Sequence, residues 1–149
     1  MELSVKDFPS LTAAELYEIL RLRVDVFVCE QRCAYPELDG RDYDALHVCC
    51  TDGGGICAYL RVLPPGTMFP DAAGIGRVVA KRRGEGLGMA VLRAGIAAAR
   101  GRFGAGRIRL EAQSHAVGFY ERAGFAVCGE EFDEDGIPHV PMVLDTAEA

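Results

Sequence analysis

The sequence has no surplus of basic charge, no Cys-x-x-Cys, and no uncharged apolar run approaching the about 18 residues that cross a bilayer. Lys and Arg total 16 against 22 Asp and Glu, a net charge of −6, whereas a nucleic-acid partner asks for a basic stripe that displaces phosphate counterions. Nucleic acid and membrane are therefore not expected as partners. The acidic field suits an amine better. Cys29 and Cys33 have no second Cys or His pair at zinc-finger distance, and no metal site is expected. The opening Met-Glu-Leu-Ser-Val-Lys-Asp puts charges where a secretory leader would be apolar, which predicts a cytoplasmic protein. Six cysteines then read as reduced thiols. Cys49 and Cys50, adjacent in an extended run, point to opposite faces.

What is present fits one domain over residues 1–149. Half of the residues are hydrophobic and 26% are charged, enough apolar surface for a real core and too much for a disordered chain. Residues 3–8 alternate as a short strand. Thr12, with Glu15 three residues on, predicts a capped helix whose apolar face carries Leu16, Ile19, Leu20, Val24 and Phe27. A polar loop over 29–44 follows. Runs 46–51 and 56–63 flank Asp52-Gly53-Gly54-Gly55 as a hairpin, and 75–80 reads as a buried central strand. A second helix starts at Leu87 and ends near Gly101, its small residues allowing close approach to a sheet. In 107–112, Ile108 and Leu110 face one side, Arg109 and Glu111 the other. Ser114 is expected to cap a third helix that Gly124 ends, and 125–132 with 139–144 should form a last hairpin. This order predicts an α/β (α+β) domain, a mixed sheet with helices packed on it.

The segment richest in chemistry is Lys81-Arg82-Arg83-Gly84-Glu85-Gly86-Leu87-Gly88, where a strand runs into a helix. Glycines at a helix start let bare N–H groups converge on an anion, and the helix dipole favours it. A phosphate or pyrophosphate is the natural occupant, though a tight turn and close helix packing would ask for the same glycines. ATP or GTP hydrolysis falls away because Leu87-Gly88-Met89 replaces Gly-Lys-Ser/Thr, and a dinucleotide fingerprint falls away because the third glycine is misplaced.

Arg83-x-x-Gly86-x-Gly88, followed downstream by Tyr120-Glu121-Arg122-Ala123-Gly124-Phe125, resembles the acyl-coenzyme A signature of the GNAT N-acetyltransferase superfamily. Val26-Phe27-Val28-Cys29-Glu30-Gln31 with Tyr35, Glu37, Asp39-Gly40 and Asp42, then Gly76-Arg77-Val78 and Gly136-Ile137-Pro138-His139, resemble its ElaA-like branch. The resemblance implies a mostly antiparallel sheet whose central strands, 75–80 and 107–112, splay apart to admit acetyl-CoA as acyl donor. It implies pantetheine on the main chain of Val78, Val79 and Ala80, and pyrophosphate on Arg83, Gly84, Glu85, Gly86, Leu87 and Gly88. It also implies direct attack by an amine of a small molecule or a protein, with Tyr120 protonating the departing thiolate. Glu111 is the candidate base, ahead of His47, His115 and His139. Glu30, Gln31, Tyr35, Asp39 and Asp42 border the acceptor groove, where the carboxylates would hold an amine or simply form a solvated acidic loop; alternatively, Arg61 and Arg77 would receive an acidic group of the acceptor, which leaves the sign of its second charge open. A homodimer is compatible with this reading. The rivals are a non-catalytic acyl-coenzyme A sensor and, from the cysteine count alone, a thiol redox protein.

Overall fold

The protein is described by a computed structural model, over residues 1–146. Strand β1 (Glu2–Asp7) leads to helix α1 (Ala13–Arg23), which starts as the sequence predicts: Glu15 N–H donates to Thr12 Oγ1 at 3.0 Å, and Thr12 N–H donates to Glu15 Oε1 at 2.9 Å. The helix does not run on to Phe27 in α form. Val24–Glu30 widens into π winding. This segment holds three β-branched valines, poor formers of a tight helix, and the wider pitch packs Val26 and Phe27 against the cluster of Ile19, Leu22, Tyr59 and Val79. Leu22 and Arg23 are buried there, while Leu20 and Val24 are only half-buried.

The remaining elements are β2 (Leu46–Asp52), β3 (Gly55–Leu63), β4 (Ala73–Ala80), α2 (Leu87–Phe103), β5 (Arg107–Gln113), α3 (Val117–Glu121), β6 (Ala126–Val127), β7 (Phe132–Glu134) and β8 (Ile137–Asp145). They build one sheet in the order β1-β2-β3-β4-β5-β8-β6, with β7 also on β8. Every pairing is antiparallel except β4 with β5. The mixed, mostly antiparallel architecture is as expected. Cys50 points into the main core and Cys49 into the second cluster, on opposite faces.

Helix α2 covers one face through Val91, Leu92, Ala98 and Ala99. A Cβ on Gly95 would lie 2.8 Å from Leu60 Cδ1, so the close approach of helix and sheet requires glycine there. The helix runs past Gly101 to Phe103, where left-handed Gly104 ends it.

Two local expectations are corrected. Ser114 caps no helix: Gln113 holds the capping position of a single 3-10 turn, and Ser114 Oγ donates to Glu131 Oε2 at 2.9 Å. Nor is 125–132 one strand. β8 carries Pro141, whose ring occupies the space of a Cβ on Gly129 at 2.6 Å, and the facing chain leaves the ladder after β6. It rejoins as β7 and turns through Asp135 and Gly136, both at positive φ, so β8 begins at Ile137, earlier than the expected His139.

Candidate active site

Strands β4 and β5 pair only at Ala73–Ile108 and Gly74–Arg109. Beyond that point they diverge, and the edge of β4 that would face β5 carries no further ladder between them. A bulge sharpens the divergence: Leu60 of β3 lies opposite both Arg77 and Val78, and Arg77 adopts φ +55°. Into the opening falls a cleft of about 1110 Å³, lined from β4, the turn before α2, α3, the π segment and the β7–β8 turn.

At one end of the cleft the glycine turn meets α2. Gly84 (φ +81°) and Gly86 (φ +75°) take left-handed backbone, and no side chain caps the helix. The first intrahelical bond runs from Ala90 N–H to Gly86 C=O at 3.1 Å, so the N–H groups just before it are available to an anion. Among the described residues nothing stands within 4 Å of where a Cβ on Gly86 would be. Gly88 differs, since its Cβ would meet Phe119 at 3.3 Å, and this third glycine serves packing between α2 and α3. Val78, Val79, Ala80, Arg83, Gly84, Gly86, Leu87 and Gly88 all line the cleft. Glu85 does not; it pairs with Arg82 at 2.8 Å. Arg82 also binds Asp52 at 2.5 Å and Arg83 binds Glu30 at 2.8 Å, so much of the local basic charge is already balanced.

Tyr120, on α3, also lines the cleft. Its ring packs edge-on against Phe119 and Phe125, with centroids at 5.0 and 6.2 Å, while its hydroxyl has no hydrogen-bond partner among the described residues. Burial pushes the phenol up to about 12, which keeps it protonated at neutral pH. Glu111 faces the cleft from β5, and burial together with the neighbouring Glu134 carboxylate raises its pKa.

This arrangement coincides with what comparison finds. The Acetyltransferase (GNAT) domain model matches residues 70–146, just over half of the chain. The chain belongs to the GNAT acetyltransferase family. A UPF0039 protein of Mycobacterium tuberculosis is 41% identical over 138 residues, spanning 89% of this chain and 86% of that one. An acyl-CoA N-acyltransferase from Pseudomonas aeruginosa superposes with a TM-score of 0.86 at 39% identity, covering 96% of this chain and 99% of the other. Escherichia coli ElaA superposes with a TM-score of 0.88 at 32% identity, covering 95% and 97%.

Within this GNAT fold the other half of the cleft departs from expectation. Arg23, fully buried at the end of α1, donates from Nε to Glu37 Oε2 at 2.6 Å and from Nη1 to Asp42 Oδ1 at 2.7 Å. Arg61 donates to Asp39 Oδ2 at 2.5 Å and to Asp42 Oδ1 at 3.1 Å. Arg77 donates to Glu37 Oε2 at 2.8 Å, and the Tyr35 hydroxyl donates to the other oxygen of the same carboxylate. Three arginines thus balance three carboxylates. Asp39 and Asp42 are not free to hold an amine, and Arg61 and Arg77 are not free to receive an acidic group; both expectations are corrected. The reason is physical: a buried charge needs an opposite partner, and these groups are each other's partners. Arg23 and Glu37 were not foreseen as members of this network. Arg23 lies four residues after Ile19, on the buried stripe of α1, and a charged residue at that register signals a buried counter-ion.

The histidines divide. His47 is fully buried, accepting from the Tyr59 hydroxyl on Nδ1 at 2.7 Å and donating from Nε2 to the Asp42 carbonyl at 3.0 Å; burial lowers its pKa, and its role is structural. His115 is exposed at the rim of the cleft, and His139 lines the cleft beside Glu134. Gln31 and Gln113, both lining the cleft, exchange an amide hydrogen bond at 3.2 Å. Among the described residues no group of three or more His, Cys, Asp and Glu is placed to hold a metal ion, and no helix is long and apolar enough to cross a membrane.

Proposed function

We propose that this chain is an acyl-coenzyme A-dependent N-acetyltransferase that acts by direct attack of an amine. The observation that carries this reading is the coincidence, in one cleft, of a strand edge released by the β4–β5 splay, an uncapped helix start behind Gly84 and Gly86, and an unpartnered phenol. The donor supplies its acetyl group as a thioester. The free edge of β4 around Val78–Ala80 offers main-chain groups to an extended amide-bearing arm, as an added strand would. The N–H groups at the start of α2 receive a diphosphate.

Glu111 draws a proton from the amine and Tyr120 gives one to the departing sulfur. A phenol held near 12 is protonated at neutral pH, so its hydroxyl is available to hydrogen-bond to the charge that develops on sulfur as the C–S bond breaks. The six cysteines are all unpaired thiols, which fits a reducing compartment such as the cytoplasm.

The test is calorimetry with acetyl-CoA followed by release of free coenzyme A across a panel of aliphatic amines, polyamines, aminoglycosides and peptide N-termini. Binding with turnover is expected. Tyr120→Phe should keep its acetyl-CoA affinity while kcat falls by about 10². Binding without turnover on any amine would replace the enzyme by an acyl-coenzyme A sensor.

A further inference from the structure

Among the described residues five carboxylates line the cleft, from Glu30, Asp39, Glu111, Glu134 and Asp135. Glu30 is taken by Arg83 and Asp39 by Arg61. Glu111 and Glu134 have no Arg or Lys within ion-pair distance among the described residues; the one basic group that near Glu134 is His139. Strand register explains why they meet. Residues paired directly across antiparallel strands project to one face, and alternate residues along a strand share that face. Glu111 pairs with Pro141, Gln113 with His139, and Glu134 with Ile137. Ile137, His139 and Pro141 alternate along β8. Three strands therefore deliver Glu111, Glu134 and His139 to the same face, the one bordering the cleft that also holds the unpartnered hydroxyl of Tyr120.

His139 is itself oriented. Its ring stacks on Phe132 with centroids 5.9 Å apart, and Nδ1–H donates to the Ile137 carbonyl at 2.8 Å. That bond leaves Nε2 without a proton in the neutral ring, 3.7 Å from Glu134 Oε2.

We propose that Glu134 is a further catalytic residue: with Glu111 it forms a carboxylate pair that receives the acceptor amine as an ammonium ion, takes its proton, and passes it out past His139. The acceptor class is then a primary aliphatic amine, protonated at neutral pH. The inference rests on the acyl-transfer reading above and adds the proton's path to it.

The ammonium loses one N–H proton to Glu111, and the two carboxyl groups hold that proton between them because repulsion opposes ionising both. The freed lone pair forms the C–N bond at the thioester carbonyl, and the C–S bond breaks. Sulfur takes the Tyr120 hydroxyl proton, and a second amine proton restores the phenol. The first proton leaves by Glu134, whose side chain is 46% exposed, to water, with His139 Nε2 beside it. Ammonium and thioester become amide, thiol and one released proton, so the atoms balance. The groups that face Glu111 are Arg109 on its own strand, Glu134 on β7 and His139 on β8, with Tyr120 and His115 lining the cleft from the helical side. Burial and Glu134 raise the Glu111 carboxyl; His139 and Arg109 oppose them.

The experiment compares the wild-type chain with Glu134→Gln and Glu134→Asp, measuring acetyl-CoA affinity by calorimetry and kcat/KM against pH with butylamine and with aniline, which is already neutral at pH 7. Glu134→Gln should keep acetyl-CoA affinity, lose about tenfold or more in kcat/KM with butylamine and much less with aniline, and move the acidic limb to lower pH, since the charge that raises Glu111 is gone. Glu134→Asp should restore the limb. Unchanged rate and limb in Glu134→Gln, in a wild-type chain that turns over, would overturn the pair alone. A wild-type chain that binds acetyl-CoA yet acetylates no amine would overturn the pair together with the transfer reaction. No acetyl-CoA binding would overturn the reading beneath both.

Discussion

The two ends of the cleft are built by different means. At the end proposed to hold the acyl donor, the groups on offer are main-chain atoms from one continuous stretch, the β4 edge and the turn before α2, and glycines at positive φ set their direction. At the acceptor end they are side chains drawn from α1, the 31–44 loop, β3, β4, β5 and the β7–β8 turn, held by ion pairs between residues far apart in the chain. On the proposed reading, side-chain identity matters little at the first end and backbone conformation is decisive. The reverse holds at the second. It follows that damage at the donor end should be local and read out in affinity, whereas damage at the acceptor end should spread to the stability of the whole domain.

The comparison breaks hardest at Arg23. Removing it leaves three buried or half-buried carboxylates, Glu37, Asp39 and Asp42, with only Arg61 and Arg77 to balance them, so Arg23→Ala should cost about 3–5 kcal/mol of unfolding free energy, seen as a lower urea midpoint. If stability is unchanged, the network is not the structural keystone of the acceptor end. Gly86→Val is the counterpart at the donor end. A β-branched residue at φ +75° is strained by about 1–3 kcal/mol, and nothing stands within 4 Å of the new Cβ, so the strain alone acts. Acetyl-CoA affinity should fall by about tenfold with a smaller loss of stability, measured by calorimetry and urea denaturation. Equal losses at both sites would erase the contrast.

The smallest effect is the acid response. Burial by itself would raise Asp39 and Asp42, but hydrogen bonds and charge from Arg61 and Arg23 outweigh it and hold both carboxyls below their ordinary value. A depressed carboxylate contributes stability above the unfolded value, near 4, and loses it as pH falls further. Hydrogen exchange should show the 37–44 loop opening first below about pH 4, before the glycine turn responds.

Much of the local structure is legible in the sequence because its causes are local. The Thr12–Glu15 cap, the hairpin over 52–55, and the glycine spacing each express short-range geometry, and the structure places nearly all the foreseen cofactor residues on the cleft. Glu85 is the exception. The charge pairing on the other side of the cleft is not legible in the same terms. Nothing in the immediate sequence neighbourhood of Asp39, Asp42, Arg61 and Arg77 reveals that they face one another, so from sequence they look available to a substrate. Pro141 likewise broke the expected last strand from across the sheet, through Gly129.

By itself the amino-acid sequence determined the family, the element order and the anion-ready turn, because caps, alternation and glycine conformations act over a few residues. Only the tertiary structure decided which charges are spent on one another. Register brought Glu111 and Glu134 to one face, and burial forced each arginine of the 37–42 network to find a carboxylate. Pairing of charges depends on distances that only packing sets.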